Sequence, residues 1–226
     1  MNVIVFASRK GGSGKSTLTA HLAAHVHKPS KPCLLVDCDP QGSLTLWHKL
    51  RGTNEPPLKT ASRSVGEIVA SARRAGYEWV FIDTPPNTSA VVDDAIRNAT
   101  MVVIPARPSV FDVNAVQDTI QSCRAARKPY AVVMNGAPAM RDGSESRIVT
   151  IAREALAKFR APVWKGQITN RADMLLALGH GEGAREYYAE GRAASEISRL
   201  WSAIERSVKA IRGNASANGA MHKQAA

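Results

Sequence analysis

Apolar residues in this chain fall into short continuous runs that alternate with longer segments of helical spacing. Buried strands are predicted at residues 3–7, 33–37, 77–82, 101–105, 130–134 and 162–168, with a short edge strand near 58–60 inside a polar loop, 51–63. Helices are predicted at 18–26, 64–75, 112–126 and 144–159, followed by a last helix that includes residues 197–211. Continuous apolar runs are typical of parallel strands that are covered on both faces. The alternation therefore predicts an α/β fold: a doubly wound, mostly parallel sheet with helices on both faces.

Between the first strand and the first helix lies the sequence Arg-Lys-Gly-Gly-Ser-Gly-Lys-Ser-Thr, residues 9–17, which we call the glycine-rich loop. A glycine-rich turn between a strand and a helix is the setting of a phosphate-binding loop, where backbone N–H groups surround the anion and the helix N-terminus adds partial positive charge. In that setting Lys15 contacts the β- and γ-phosphates, and the Ser16 hydroxyl binds Mg²⁺. The alternative is a turn without a ligand, which the Gly-Lys-Ser triplet and its flanking elements argue against.

The loop departs from the general pattern at its first position, where Arg9 replaces glycine and a second lysine, Lys10, precedes the paired glycines. Lys-Gly-Gly-x-Gly-Lys-[Ser/Thr]-Thr is the deviant Walker A box, and here the chain resembles the ParA/MinD family of ATPases. The resemblance implies that Lys10 crosses a dimer interface to the partner's nucleotide, where a second cation offsets charge on the transferred phosphoryl group. The loop residues predicted to bind ATP are Lys10, Gly11, Gly12, Ser13, Gly14, Lys15, Ser16 and Thr17.

Two further strands end in carboxylates, in the sequences Asp37-Cys-Asp39-Pro-Gln and Asp83-Thr-Pro-Pro. The carboxyl ends of parallel strands lie at the same sheet edge as the loop. The resemblance implies that Asp39 orients the attacking water, that Asp37 supports the Mg²⁺ shell, and that Asp83 is the Walker B carboxylate that holds Mg²⁺. For Asp39 alone, capping of the following helix is the alternative. The predicted catalytic residues are Lys10, Lys15 and Asp39, and the predicted metal site is Ser16, Asp37 and Asp83.

Two residues after later strands also match the family. The segment from Pro105 to Asp112 resembles a family motif, and we interpret Asp112 first as a helix-start residue and second as a dimer contact. Asn135 follows the strand at 130–134. The resemblance implies that it helps to recognise adenine, and an ordinary turn asparagine is an equal alternative.

The net charge is +11, from 30 Lys and Arg against 19 Asp and Glu. Such an excess favours an acidic partner, either nucleic acid or anionic lipid, although a positive surface that only maintains solubility is the alternative. The three cysteines lack metal-binding spacing and are predicted to be free thiols in the cytoplasm. No apolar run reaches the roughly 18 residues of a membrane-spanning helix, and no signal peptide is expected at the N-terminus.

The last helix bears on the choice between these acidic partners. Its apolar residues, Ile197, Leu200, Trp201, Ile204, Val208 and Ile211, share about a third of the circumference at the helical period. Arg199 and Arg206 lie nearly opposite. Three interpretations of this helix are open. It packs on the sheet as an ordinary surface helix, or it does so and its basic face also binds DNA phosphates. The third interpretation is an amphipathic membrane anchor of the MinD type. Against the anchor, the core needs this stripe, and residues 213–226 lack hydrophobic anchors and are predicted to form a disordered tail after a single domain, 1–212.

The resemblance covers most of the chain and implies the function of small ParA partition proteins that lack a helix-turn-helix before the glycine-rich loop. In that cycle ATP and Mg²⁺ favour a homodimer, the dimer binds nucleoid DNA non-specifically, and a ParB-like adaptor stimulates slow ATP hydrolysis, which positions a cargo. The predicted DNA contacts are Arg171, Arg192, Arg199 and Arg206. The alternatives are a MinD-like ATPase at the membrane and a conjugation-accessory ATPase. Metal-cluster carriers use paired cysteines, and this sequence has no Cys-x-x-Cys.

Overall fold

Seven strands and the helices between them are defined in the computed structural model, which describes residues 1–61 and 64–224, with side chains as far as residue 214. The strands are β1 Asn2–Phe6, β2 Cys33–Asp37, β3 Leu58–Thr60, β4 Trp79–Asp83, β5 Met101–Ala106, β6 Tyr130–Ala137 and β7 Val163–Thr169. The helices are α1 Lys15–Val26, α2 Ser43–Arg51, α3 Val65–Arg74, α4 Ala90–Asn98, α5 Val110–Ala125, α6 Arg147–Lys158, α7 Ala172–Gly179, α8 Ala184–Tyr187 and α9 Arg192–Gln224.

Every strand and helix predicted from the pattern is present. Helices α2, α4, α7 and α8 were not among the predicted helices. They are short, from 4 to 9 residues, and each buries few side chains; α4, for example, buries only Val92, Ala95 and Ile96. The predicted loop 51–63 ends in residues 62–63, and the predicted tail 213–226 ends in residues 225–226. Both pairs of residues lie outside the described residues.

The described strands form one sheet in the order β3-β2-β4-β1-β5-β6-β7, and every pairing between them is parallel. β1 is the central strand, where Ile4 pairs with Phe81 of β4 and with Met101 of β5. The short strand β3 lies at one edge, as predicted. The doubly wound, parallel α/β fold is therefore confirmed, and the loop after β1 lies at the middle of the sheet's carboxyl edge.

The two faces of the sheet are covered by separate helical layers. Along β1, Val3 and Val5 point into a core that α3, α4, α5 and α6 complete, whereas Ile4 and Phe6 point into a second core with α1, α2, α7, α8 and α9. Each fully buried aliphatic or aromatic side chain contributes roughly 1.5–3 kcal/mol of transfer free energy. Burial on both faces explains why the strands are continuously apolar rather than alternating.

Helix α9 packs its apolar stripe on the second face of the sheet. Ile197, Leu200, Ile204 and Val208 are buried there, and the Trp201 ring lies edge-on to Trp79, with 4.6 Å between ring centroids. The predicted surface-helix packing is thus confirmed, and the stripe is occupied by the core. No described helix combines the length and the apolar character that a bilayer crossing requires.

The end of the last helix differs from the prediction. We predicted a disordered tail over residues 213–226, but α9 runs to Gln224. The segment after residue 212 contains five alanines and no proline, which allows a helix that has already formed to continue, although Gly213 and Gly219 weaken it. The predicted domain boundary at residue 212 stays a prediction.

Two predicted helix starts have the capping geometry that their sequences favour. The Ser64 hydroxyl accepts a hydrogen bond from the Glu67 backbone N–H at 3.3 Å at the start of α3. At the start of α5, the Ser109 hydroxyl accepts from the Asp112 backbone N–H at 3.1 Å and donates to the Asp112 carboxylate at 2.6 Å. The interpretation of Asp112 as a helix-start residue is confirmed, and its role as a dimer contact stays a prediction.

Buried His21 connects three helices of the second layer. Its Nε2 donates to the Met174 carbonyl oxygen at 3.1 Å, and its Nδ1 accepts from the Ala184 backbone N–H at 3.0 Å. These partners require the neutral ring, and burial lowers the pKa of His21 to about 4. α1 is thereby fixed to α7 and α8 by a group that cannot be protonated without losing one hydrogen bond.

We predict that His21 makes the fold acid-sensitive. Because its pKa is about 4 in the folded chain and about 6.5 in the unfolded chain, the unfolded state binds the extra proton between these values. Its contribution is therefore complete above pH 6.5 and falls as the pH drops towards 4, by about 3 kcal/mol in total. Urea unfolding of His21→Gln should show a shallower loss of stability over pH 6.5–4 than the parent.

The control is His180→Gln, which alters an exposed histidine that follows α7. Parallel stability profiles for the parent chain and for His21→Gln would contradict the assignment, whatever the absolute stability of the variant.

Candidate functional site

The glycine-rich loop wraps around the start of α1 in a backbone conformation that requires glycine. Gly12 and Gly14 have φ of +72° and +98°, in the left-handed region. A Cβ atom at Gly14 would lie 2.0 Å from Nδ2 of Asn135, so no larger residue fits there. Helix α1 begins at Lys15 with no side chain capping its first turn. Its free backbone N–H groups and dipole therefore face the loop, which is the arrangement of an anion site.

Lys15 is held inside this loop without an ion pair among the described residues. Its side chain is buried, and Nζ donates a long hydrogen bond of 3.4 Å to the Lys10 carbonyl oxygen. Burial lowers the pKa of Lys15, while the carboxylates of Asp83 and Asp39 oppose that shift. A buried cation with so little local compensation favours an anionic ligand.

Asp83 is the matching negative group. It is fully buried, and within the described structure neither carboxylate oxygen has a hydrogen-bond partner. Burial raises the pKa of Asp83 to about 7 and the Asp37 carboxylate adds to the shift, whereas Ser16 and Lys15 act in the opposite direction. Two orphaned carboxylate oxygens beside a serine hydroxyl are the oxygen donors that Mg²⁺ binds when phosphates supply further ligands. The residues present therefore fit a Mg²⁺–nucleotide.

Asp37 and Asp39 have different surroundings. Asp37 accepts hydrogen bonds from the Asp39 backbone N–H at 3.1 Å and from the Thr45 backbone N–H and hydroxyl at 2.9 and 2.6 Å. Thr45 lies in the first turn of α2, so Asp37 is the carboxylate that caps this helix. Among the described residues, the Asp39 carboxylate accepts only from the Gln41 backbone N–H, at 3.0 Å. It therefore does not cap α2, which corrects the capping alternative that we gave for it.

Lys15, Ser16 and Asp39 line one cavity of about 420 Å³ at the carboxyl edge of the sheet, a size that suits a small-molecule ligand, whereas Asp37 and Asp83 are buried and do not lie in its wall. The predicted residues in its wall are Gly11, Gly12, Gly14, Lys15, Ser16, Thr17, Asp39 and Asn135. Ser13 lies behind the wall, with its buried hydroxyl unpartnered among the described residues. Of the described residues, no group of three or more His, Cys, Asp or Glu side chains forms a metal cluster.

Lys10 is the exception among the predicted catalytic residues. Its side chain is exposed and does not line the cavity of its own chain. Its backbone nevertheless contributes locally, because its carbonyl oxygen is the acceptor for Lys15. The active site of a single chain is therefore assembled without the Lys10 ammonium group.

Asn135 lies within strand β6 rather than in a turn after it, because β6 continues to Ala137. The predicted turn alternative is therefore wrong. Its side chain is buried, and Nδ2 donates to the Ser13 carbonyl oxygen at 2.7 Å. Asn135 thus supports the glycine-rich loop from the neighbouring strand while lining the cavity, and its contact with adenine stays a prediction.

Arg171 is mostly buried in the cavity wall, whereas a DNA contact requires an exposed side chain. Its guanidinium pairs with Glu196 at 2.9 Å, only 20% of its side chain is exposed, and it lines the cavity. Glu196 is itself buried and also accepts from the Thr169 backbone N–H and hydroxyl at 2.8 and 2.9 Å. The prediction of DNA contact by Arg171 therefore conflicts with its burial. The sequence feature that could have indicated the ion pair of Arg171 is Glu196, a carboxylate next to the apolar stripe of α9.

The other three predicted DNA contacts are exposed on α9. Arg192, Arg199 and Arg206 lie seven residues apart, so their Cβ atoms share one face of the helix. A further arginine that we did not predict, Arg107, lines the cavity from the loop after β5.

Comparison with known proteins agrees with this geometry. The model of the CobQ/CobB/MinD/ParA nucleotide binding domain matches residues 4–214. The maintenance of carboxysome distribution protein A of Gloeobacter kilaueensis is 28% identical over 207 residues, which cover 88% of this chain and 95% of that protein. The chromosome-partitioning ATPase Soj of Thermus thermophilus is 28% identical over 230 residues, which cover 87% and 92%.

The fold is also similar to a solved structure, the septum site-determining protein MinD of Pyrococcus horikoshii complexed with Mg-ADP. The TM-score is 0.71 at 16% sequence identity, and the match covers 93% of this chain and 98% of that one. Because the family model spans most of the chain and the cavity fits a nucleotide, this chain belongs to the CobQ/CobB/MinD/ParA family of nucleotide-binding ATPases.

Proposed function

We propose that this ATPase forms an ATP-dependent homodimer in the cytoplasm, binds nucleoid DNA without sequence specificity, and uses ATP hydrolysis to position a cargo. A ParB-like adaptor stimulates the slow hydrolysis and releases the dimer from DNA. One observation supports this function above all: Lys15, Ser16 and Asp39 share one cavity, whereas the Lys10 side chain is exposed outside it. Because the Lys10 side chain is not used in the cavity of its own chain, it is free to contact the nucleotide in the cavity of a second copy.

The residues of one chain divide the work of hydrolysis. Lys15 and the N–H groups at the start of α1 hold the phosphates, while Ser16 and Asp83 hold Mg²⁺. When bound, Mg²⁺ neutralises charge on the phosphate oxygens. The Asp39 carboxylate accepts a hydrogen bond from the attacking water and directs it at the phosphorus atom. Asp37 fixes Asp39 through its backbone N–H and, with both oxygens hydrogen-bonded, supports the Mg²⁺ shell from outside.

The DNA surface that we propose is the exposed face of α9 that carries Arg192, Arg199 and Arg206. Cations along one helix face neutralise phosphates irrespective of base sequence, and the net charge of +11 favours such contacts. The names of the relatives, chromosome partitioning and carboxysome distribution, agree with a positioning role. Against membrane anchoring by α9, its apolar stripe is buried in the core.

We predict that Lys15→Ala loses nucleotide binding, because it removes the cation buried at the loop–helix junction. Affinity for ATP, measured by calorimetry, should fall by at least about a hundredfold, the effect of losing charge-assisted hydrogen bonds to phosphate. Lys49→Ala, at an exposed lysine on α2, is the control and should bind normally. Parental ATP affinity in Lys15→Ala would refute the assignment.

We predict that Asp39→Ala binds ATP and dimerises but loses turnover, because Asp39 acts on the water rather than on the phosphates. Phosphate release should fall to background, by about 10²–10⁴-fold, while ATP-dependent dimers persist in light scattering. The control is Glu154→Ala, at an exposed carboxylate on α6. Hydrolysis that continues at the parental rate in Asp39→Ala would exclude the water-orienting role.

We predict that Arg199→Glu combined with Arg206→Glu weakens DNA binding and leaves basal ATPase unchanged. The slope of log affinity against log salt should become shallower by about two, one unit for each lost phosphate contact. The control reverses two exposed charges at the end of α6, Lys158→Glu with Arg160→Glu.

An identical salt dependence in both double variants would move the DNA surface away from α9. Co-sedimentation with anionic vesicles tests the alternative that the protein binds a membrane instead of DNA. ATP-dependent binding to vesicles without binding to DNA would contradict the proposed function.

A further inference from the structure

Arg107 is a cation in the wall of the nucleotide cavity that the mechanism above does not use. It follows β5 directly, and its side chain lies beside the glycine-rich loop and the end of strand β6. Its Nη2 atom lies 3.8 Å from the position of a Cβ atom at Gly12, and its Cγ and Nε atoms lie 3.7 and 3.8 Å from that position at Gly136. The side chain therefore extends from the end of β6 to the glycine-rich loop.

The charge of Arg107 is uncompensated within the described part of the chain. No described carboxylate lies within ion-pair distance of its guanidinium, and its side chain is exposed to the cavity. Two neighbouring arginines differ in this respect, because Arg9 pairs with Asp118 at 3.1 Å and Arg171 pairs with Glu196 at 2.9 Å.

The backbone of Arg107, in contrast, is held in place. Its N–H group donates to the Asp112 carboxylate at 3.4 Å, and Asp112 is also hydrogen-bonded to Ser109 at the start of α5. A fixed backbone lowers the entropy lost when the side chain binds a ligand, because only the side-chain torsions remain to be ordered.

The chemistry of the cavity identifies the ligand group that Arg107 fits. Lys15 and Arg107 are the cations in the cavity wall that no described carboxylate pairs with, and Arg171 is neutralised by Glu196. A nucleoside triphosphate brings several negative charges to the glycine-rich loop, beside Gly12. A guanidinium matches two phosphate oxygens with parallel N–H groups, which a lysine ammonium does not.

We propose that Arg107 is a further nucleotide-binding residue, whose guanidinium donates hydrogen bonds to the phosphates of a nucleoside di- or triphosphate bound in the same chain. This inference rests on the proposed ATP-binding function and adds a second cation from within the chain, distinct from the Lys10 of a second copy. Arg107 contributes to phosphate affinity and not to recognition of the base, so its effect depends on the number of phosphates.

The test measures nucleotide binding without turnover, by calorimetry on the purified full-length chain. Arg107→Ala should weaken ADP binding by about tenfold or more, and AMP binding by less. Arg107→Lys should recover part of the loss, because it keeps the charge and loses the paired donors. Arg97→Ala, at an exposed arginine on α4, is the control and should bind as the parent does. Equal circular dichroism spectra and melting curves verify that the variants fold.

Three outcomes would overturn a part of this scheme, and they are distinguishable. Unchanged ADP affinity in Arg107→Ala, with loss of binding in Lys15→Ala, would refute the role of Arg107 and leave the proposed function standing. Unchanged ADP affinity together with lost ATP-dependent dimerisation would also refute it, because Arg107 would then act on a second copy. Absence of ADP and ATP binding in the parent chain would refute the proposed function itself.

Discussion

The parallel direction of the strands is the constraint on which the rest of this molecule depends. Because every described pairing is parallel, all strands end at one edge of the sheet, and each chemically active loop begins there. Loops that are distant in the sequence, after β1, β2, β4, β5 and β7, therefore converge on one cavity. The two-sided core fixes that edge, since slippage of a strand by one residue would turn its apolar side chains from one helical layer to the other.

The carboxyl edge of the sheet holds buried charges that the fold alone does not satisfy. Asp83 is buried with both oxygens unpartnered among the described residues, and Lys15 is buried with one long hydrogen bond. Burying such groups costs free energy, which the apolar cores on both faces of the sheet offset. A Mg²⁺–nucleotide supplies the missing partners for both groups at once. The site is therefore preorganised for a ligand that carries a cation and phosphates together.

Long-range hydrogen bonds join this cavity to the helices around it. Glu196, in the second turn of α9, binds Thr169 and Arg171, which are at the cavity wall. His21 of α1 binds the Met174 carbonyl oxygen, and Met174 also lines the cavity. The helix that carries the proposed DNA surface and the helix that begins at the glycine-rich loop thus share hydrogen-bonded contacts with one segment of the nucleotide site.

Local sequence determined the described strands, five of the described helices and the glycine-rich loop, because each depends on residues within a few positions of one another. The carboxylates after β2 and β4 and the caps at Ser64 and Asp112 are local in the same sense. Local sequence also determined the fold class, since continuous apolar runs require a sheet covered on both sides. Only the tertiary structure decided which side chains meet. Asn135 beneath the loop, Arg171 paired with Glu196 and Arg107 beside Gly12 are contacts between distant segments, and no local pattern encodes them. The same reason explains why helix capping belongs to Asp37 rather than Asp39: the direction of a side chain is set by the packed sheet and not by its place in a motif.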